Sequence, residues 1–175
     1  MTLRTAAIAG LVIALVVAAC GGGGPESNWE RFVSEEGGYS FLAPHEPAVE
    51  TVSEDSGFGI IDFTRYIMMV DGTLFVTFYT DLTPANLATY SADELVSFAA
   101  ENLVETTAGR LISDEPISLG GAPGRETIVE ADTGRIARGR VYQIGARQFQ
   151  IFTVSDPDEQ SSADVLMFLD SLRIE

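Results

Sequence analysis

The stretch Arg125-Glu126-Thr127-Ile128-Val129-Glu130-Ala131, then Asp132-Thr133-Gly134, then Arg135-Ile136-Ala137-Arg138-Gly139-Arg140-Val141-Tyr142-Gln143-Ile144 reads as two strands joined by a three-residue turn. Glycine at the third turn position suits the left-handed conformation that such a hairpin needs. The register this predicts sets Glu126 opposite Arg140. It places Thr127, Val129 and Ala131 on one face with Ala137, Gly139 and Val141, and leaves Glu126, Glu130, Arg138 and Arg140 on the other. That charged face is a candidate interaction surface.

Working outward, the same logic predicts further antiparallel strands. Gly59 to Met69 sets Ile61, Phe63, Ile67 and Met69 on one face and Asp62, Thr64 and Tyr66 on the other. Asp71-Gly72 then turns the chain into Thr73 to Thr80, since both central positions of a tight hairpin turn want positive φ. Tyr39 to Leu42 is a short leading strand, stopped by Pro44. Leu111 to Leu119 and Arg147 to Val154 complete the β content, with turns at Gly120 to Gly124 and at Gly145-Ala146.

Two segments switch to helical spacing. Ser91 and Glu94 form a capping box, followed by a stripe of Leu95, Phe98, Ala99 and Leu103, and Gly109 is the expected C-terminal stop. A second helix from about Ser162 carries Val165, Phe168, Leu169 and Leu172. Asp156 to Glu159 reads as a turn before it. The fold class is therefore α+β: one domain, residues 29–175, with an antiparallel sheet and two main packed helices.

The N-terminus carries a different message. Arg4, an apolar run from Ala6 to Val17, and the small-residue exit Ala18-Ala19 read as a signal peptide over residues 1–19, because the run is short of the roughly 20 residues that span a bilayer. Val17-Ala18-Ala19-Cys20 resembles the lipobox of bacterial lipoproteins. Cys20, the single cysteine, is the expected lipid attachment site and mature N-terminus. Residues 20–28, glycine-rich with nothing apolar before Trp29, form a tether with a reach of about 15 Å. The expected location is extracytoplasmic, anchored to the cell membrane or to an outer membrane where the host has one.

Composition narrows the function. The 26 acidic residues outnumber the 10 basic ones, all arginine, for a formal net charge of -16. Such a surface is repelled by nucleic acid and anionic lipid, so membrane association should rest on the acyl chains, and nucleic acid is not an expected partner. Serine-type catalysis needs a base, and the single histidine, His45, sits in the loop Pro44-His45-Glu46-Pro47. One lipidated cysteine and one histidine cannot build a zinc site, and no EF-hand run occurs. No catalytic residue, metal ligand or cofactor is expected. The leading reading is a non-catalytic interaction or assembly module with an envelope protein as partner. The alternative is a small-ligand or cation-binding lipoprotein using Tyr66 and Tyr79, which would have to line an open concave site; a hydrolase ranks third.

Several blocks also resemble bacterial lipoproteins with a PsbP-like domain: Tyr39-Ser40-Phe41-Leu42-Ala43-Pro44, Gly121-Ala122-Pro123-Gly124 with Arg125-Glu126, Arg140-Val141-Tyr142 followed by Gly145-Ala146-Arg147, and Phe168-Leu169-Asp170-Ser171-Leu172. That fold is named for an extrinsic subunit of photosystem II and is shared by a Ran-binding nuclear import factor. The resemblance implies an antiparallel sheet with helices packed on it, a PsbP-like α/β sandwich. It implies no photosystem role, since that subunit docks through basic surface residues and this chain is acidic and lysine-free.

Overall fold

The computed structural model describes residues 29–56 and 59–175. The signal peptide, Cys20 and the tether lie outside the described residues. The chain runs β1 (Glu30–Ser34), β2 (Tyr39–Ala43), β3 (Ala48–Ser56), β4 (Gly59–Val70), β5 (Thr73–Asp81), α1 (Pro84–Thr89), α2 (Ala92–Thr106), β6 (Arg110–Leu119), β7 (Ala122–Glu130), β8 (Ile136–Ile144), β9 (Arg147–Ser155), a 3-10 turn (Pro157–Glu159), α3 (Ala163–Leu169) and β10 (Arg173–Ile174). The class is α+β with antiparallel strands.

Two sheets form where one was expected. A seven-stranded sheet has the order β3-β4-β5-β9-β8-β7-β6, and β1-β2-β10 makes a three-stranded sheet. The strand β1 escaped the sequence reading because its charged pair Glu30-Arg31 and adjacent apolar pair Phe32-Val33 break the alternation that marks a strand.

Hairpin registers follow the turn chemistry. Val70 pairs with Thr73 across Asp71 (φ 48) and Gly72 (φ 82). Glu126 pairs with Arg140, as the spacing predicts, and Gly134 takes φ 80 in the connecting turn. The turn expected over residues 120–124 is shorter: Leu119 pairs with Ala122, so only Gly120-Gly121 turn and Pro123 lies within β7. On β4 the buried positions are Tyr66 and Met68, whereas Met69, on the predicted apolar face, is 47% exposed. The apolar alternation had marked the wrong face of this strand end.

The layers are α2, the large sheet, and then the small sheet with α3. Tyr39 and Phe41 of β2 pack with Phe168 and Leu169 of α3 onto Tyr66, Phe75, Tyr142, Phe149 and Ile151 of the large sheet. The opposite face of that sheet receives α2 through buried Leu95, Val96 and Ala100. Its capping box is complete: Glu94 N–H donates to Ser91 Oγ, and Ser91 N–H donates to the Glu94 carboxylate at 2.8 Å.

The helix does not end as predicted. Gly109 N–H donates to the Val104 carbonyl and Ala108 N–H to the Glu105 carbonyl, both at 3.1 Å, the pair of bonds of a Schellman cap. The left-handed residue is therefore Ala108, at φ 46, and not Gly109. Gly109 serves another purpose, because a Cβ there would stand 2.4 Å from Val129 Cγ1 and 2.7 Å from the Glu130 carbonyl oxygen. Ala108→Gly should relieve the left-handed cost of a Cβ and raise stability by about 1 kcal/mol, read as a higher urea midpoint at unchanged slope. An unchanged or lower midpoint would show that Ala108 carries no strain.

Candidate interaction site

The four charged residues predicted to share one face do so, but they do not make an open surface. Arg138 Nη2 donates to Glu126 Oε1 at 2.7 Å, and Arg140 Nε to Glu126 Oε2 at 2.5 Å. The second nitrogen of Arg140 reaches the Leu169 carbonyl at 3.0 Å and Asp170 at 2.6 Å, so the network ties β7 and β8 to the end of α3. All three of these side chains are mostly buried. Burial pushes the Glu126 carboxyl up, and the hydrogen bonds from Arg140 and Arg138 together outweigh it, holding it below the usual carboxylate range. Glu130 stands apart, paired with Arg110 on β6.

The two predicted ligand-contact aromatics are core residues. Tyr66 is 7% and Tyr79 is 6% exposed. The Tyr66 hydroxyl lies 2.7 Å from Ser34 Oγ, and its ring packs against Phe32, Tyr39 and Phe41. Tyr79 lies under the guanidinium of Arg147, 4.7 Å from the ring centroid. Neither lines an open concave site, because the small sheet closes over both. Alternation on β4 and β5 could place them on one face but could not say what covers it. Burial also raises the Tyr39 and Tyr79 hydroxyls above the ordinary phenol range.

Arg147 is the structural residue that sequence reasoning missed. It clamps Asp81 with two bonds of 2.7 and 2.6 Å and donates to the Glu36 and Gly37 carbonyls at 2.9 and 2.8 Å. That joins β9, β5 and the β1–β2 turn at one point. The hydrogen bonds from Arg147 hold the Asp81 carboxyl below its usual range. On β6 and β7, Arg125 and Thr127 hold Asp114 low in the same way.

Two accessible features lie at the rims of the sheets. A hollow of about 450 Å³ opens beside β1 and the loop after β2, lined by Arg31, Phe32, Pro44, His45, Glu30 and Glu46 among others. His45 Nδ1 lies 2.9 Å from the Glu46 carbonyl. Among the described residues, no group of three or more His, Cys, Asp or Glu is gathered to hold a metal ion, and no helix is long and apolar enough to cross a membrane. The other rim feature is the edge of the large sheet. Strand β3 pairs with β4 in an unbroken register from Ala48↔Ile67 to Ser56↔Gly59 and, among the described residues, has no strand on its other side. Val49 (56% exposed) and Ile60 (77% exposed) add two accessible apolar side chains to this otherwise polar and acidic ribbon.

The architecture matches a solved structure. The chain is similar to the solution structure of cyanobacterial PsbP (CyanoP) from Synechocystis sp. PCC 6803, with a TM-score of 0.56 and 15% identity over 91% of this chain and 99% of that one. The fold is PsbP-like. A protein of unknown function from Pseudomonas aeruginosa is more distant, with a TM-score of 0.36 and 10% identity over 78% of this chain and 88% of that one. No family model and no curated protein matches. Within the PsbP-like domain, the blocks that carried the sequence resemblance are core and turn residues: Tyr39 and Phe41 are buried, and Phe168 and Leu169 are the inner face of α3.

Proposed function

We propose that this protein is a lipid-anchored, extracytoplasmic interaction module of the cell envelope, held by Cys20 and without catalytic activity of its own. The observation that carries the reading is the division of labour among its polar groups. Glu126, Arg138, Arg140 and Tyr66, the candidate contact groups, are engaged inside the fold, while among the described residues a strand edge is left open on β3. A rigid domain with an open strand edge on a short tether suits protein contact at a membrane. The PsbP-like fold supports this as a scaffold and does not select the partner.

A second reading has one observation in its favour. The hollow beside His45 falls within the size range of small-molecule sites and brings Arg31 and His45 to its rim. A small ligand would therefore sit there and not at Tyr66 and Tyr79.

The anchor is tested first. Cys20→Ser should shift the protein from the detergent phase to the aqueous phase, or leave an uncleaved precursor. Normal cleavage with unchanged membrane partitioning would sink the lipid anchor. Co-purification of the wild-type lipoprotein from native membranes then separates the two roles: a stoichiometric protein partner supports the module, and a protein recovered alone with bound small mass supports the hollow.

A further inference from the structure

The two edges of the large sheet are treated differently by the sequence. At β6 the edge is blunted twice, by a register shift between Leu111 and Ser113 and by Pro116, which has no amide hydrogen to offer a neighbour. At β3 neither device is present: its nine residues contain no proline, its register with β4 is continuous, and every residue from Ala48 to Glu54 except the half-buried Val52 is exposed. An edge of that length with free N–H and C=O groups is a template for one more strand.

The side chains on β3 select which strand. Alternation puts Glu50, Val52 and Glu54 on one face and Val49, Thr51 and Ser53 on the other. Arg65 answers Glu50 and leaves Glu54 on that face, and Asp62, which accepts from Ser53, adds an acid on the other, so across β3 and β4 the acids outnumber the single arginine. A second copy arriving edge to edge would set Glu50 and Glu54 against like charges, in a chain whose formal net charge is already -16. A basic segment meets the opposite field.

Resting on the interaction-module reading, we propose that β3 is a docking edge for an extended, basic segment of a partner protein. That segment adds as an eighth strand beside Ala48–Ser56. Its side chains set Lys or Arg against Glu54 on one face and Asp62 on the other, with β-branched or apolar residues beside Val49 and Val52.

The test is photo-cross-linking in native membranes with the full-length lipoprotein, a photoreactive amino acid replacing Thr51 on β3 or Ser118 on β6. The expected result is a heteromeric adduct from position 51, with position 118 silent. Its mapped segment should be extended and basic, with β-branched or apolar residues among the Lys and Arg. Adduct yield should fall about ten-fold in the Glu50→Gln, Glu54→Arg double variant with an unchanged melting temperature, and should fall at high salt. Adducts from position 118, adducts to a second copy, an acidic or helical partner segment, or a yield indifferent to the charge change would overturn the β3 assignment and leave the module reading standing. No adduct at either position from a chain that also purifies alone would remove both.

Discussion

Phe168→Ala should cost about 3–5 kcal/mol, a large share of the about 5–15 kcal/mol that holds a domain of this kind folded. Phe168 is fully buried, and its ring centroid lies 5.2 Å from Phe75, 6.2 Å from Trp29 and 6.3 Å from Phe41. It thus joins the large sheet, the small sheet and the N-terminal segment at one point. The helix that carries it has seven residues, too few to persist without tertiary packing, and the strand that follows it pairs with β2 through only two residues. Losing the ring should therefore unfasten more than one side chain. The check is the urea midpoint, with amide exchange of α3 and β10 rising before that of β8 and β9. A cost below about 1 kcal/mol would mean that α3 is not what closes the core.

Glu126→Ala should cost about 3 kcal/mol, because it leaves two mostly buried guanidiniums without their shared carboxylate. The loss is asymmetric: replacing Glu126, Arg138 and Arg140 together by Leu or Met should recover most of the stability, since removing all the charges removes the desolvation penalty with them. If the triple variant is no better than the single one, the network contributes attraction beyond compensating its own burial. The pH dependence follows from the same groups. Glu126, Asp114 and Asp81 all have carboxyls held below their usual range in the folded protein. In that pH range the unfolded chain binds more protons, so their stabilisation is present above the ordinary carboxylate pKa of about 4 and is lost as pH falls through the lower folded values. Glu126→Gln should flatten the fall of melting temperature with acidification; an unchanged slope would show that Glu126 is not among the groups that drive it.

These two residues differ in how far the sequence discloses them. The pairing of Glu126 with Arg140 follows from counting residues through Asp132-Thr133-Gly134, and the structure has that register. That Arg140 also reaches Leu169 and Asp170 does not follow, because nothing local specifies where α3 lies. Phe168 could be read as an inner-face residue from its spacing with Val165 and Leu169, but its contact with Trp29 joins opposite ends of the domain. The case of Tyr66 and Tyr79 is similar. Alternation puts them on a common face, and only the arrival of β1 and β2 over that face turns two candidate ligand contacts into core residues.

The elements legible without the fold are those whose causes lie within about ten residues. These are the Asp71-Gly72 and Asp132-Thr133-Gly134 hairpins with their registers, the Ser91–Glu94 cap that starts α2, and the buried stripe of α3. Turn dihedrals, cap hydrogen bonds and side-chain period are local properties, and they act on any chain that carries those residues. Long-range packing sets which strands meet across the middle of the sheet, where Leu74 pairs with Val154. It also decided that the small sheet forms over the aromatic face and that β3 is left at an open edge. Those outcomes depend on how much apolar surface each distant pairing buries against the entropy of closing the loop between them, and no short window of sequence contains both sides of that balance.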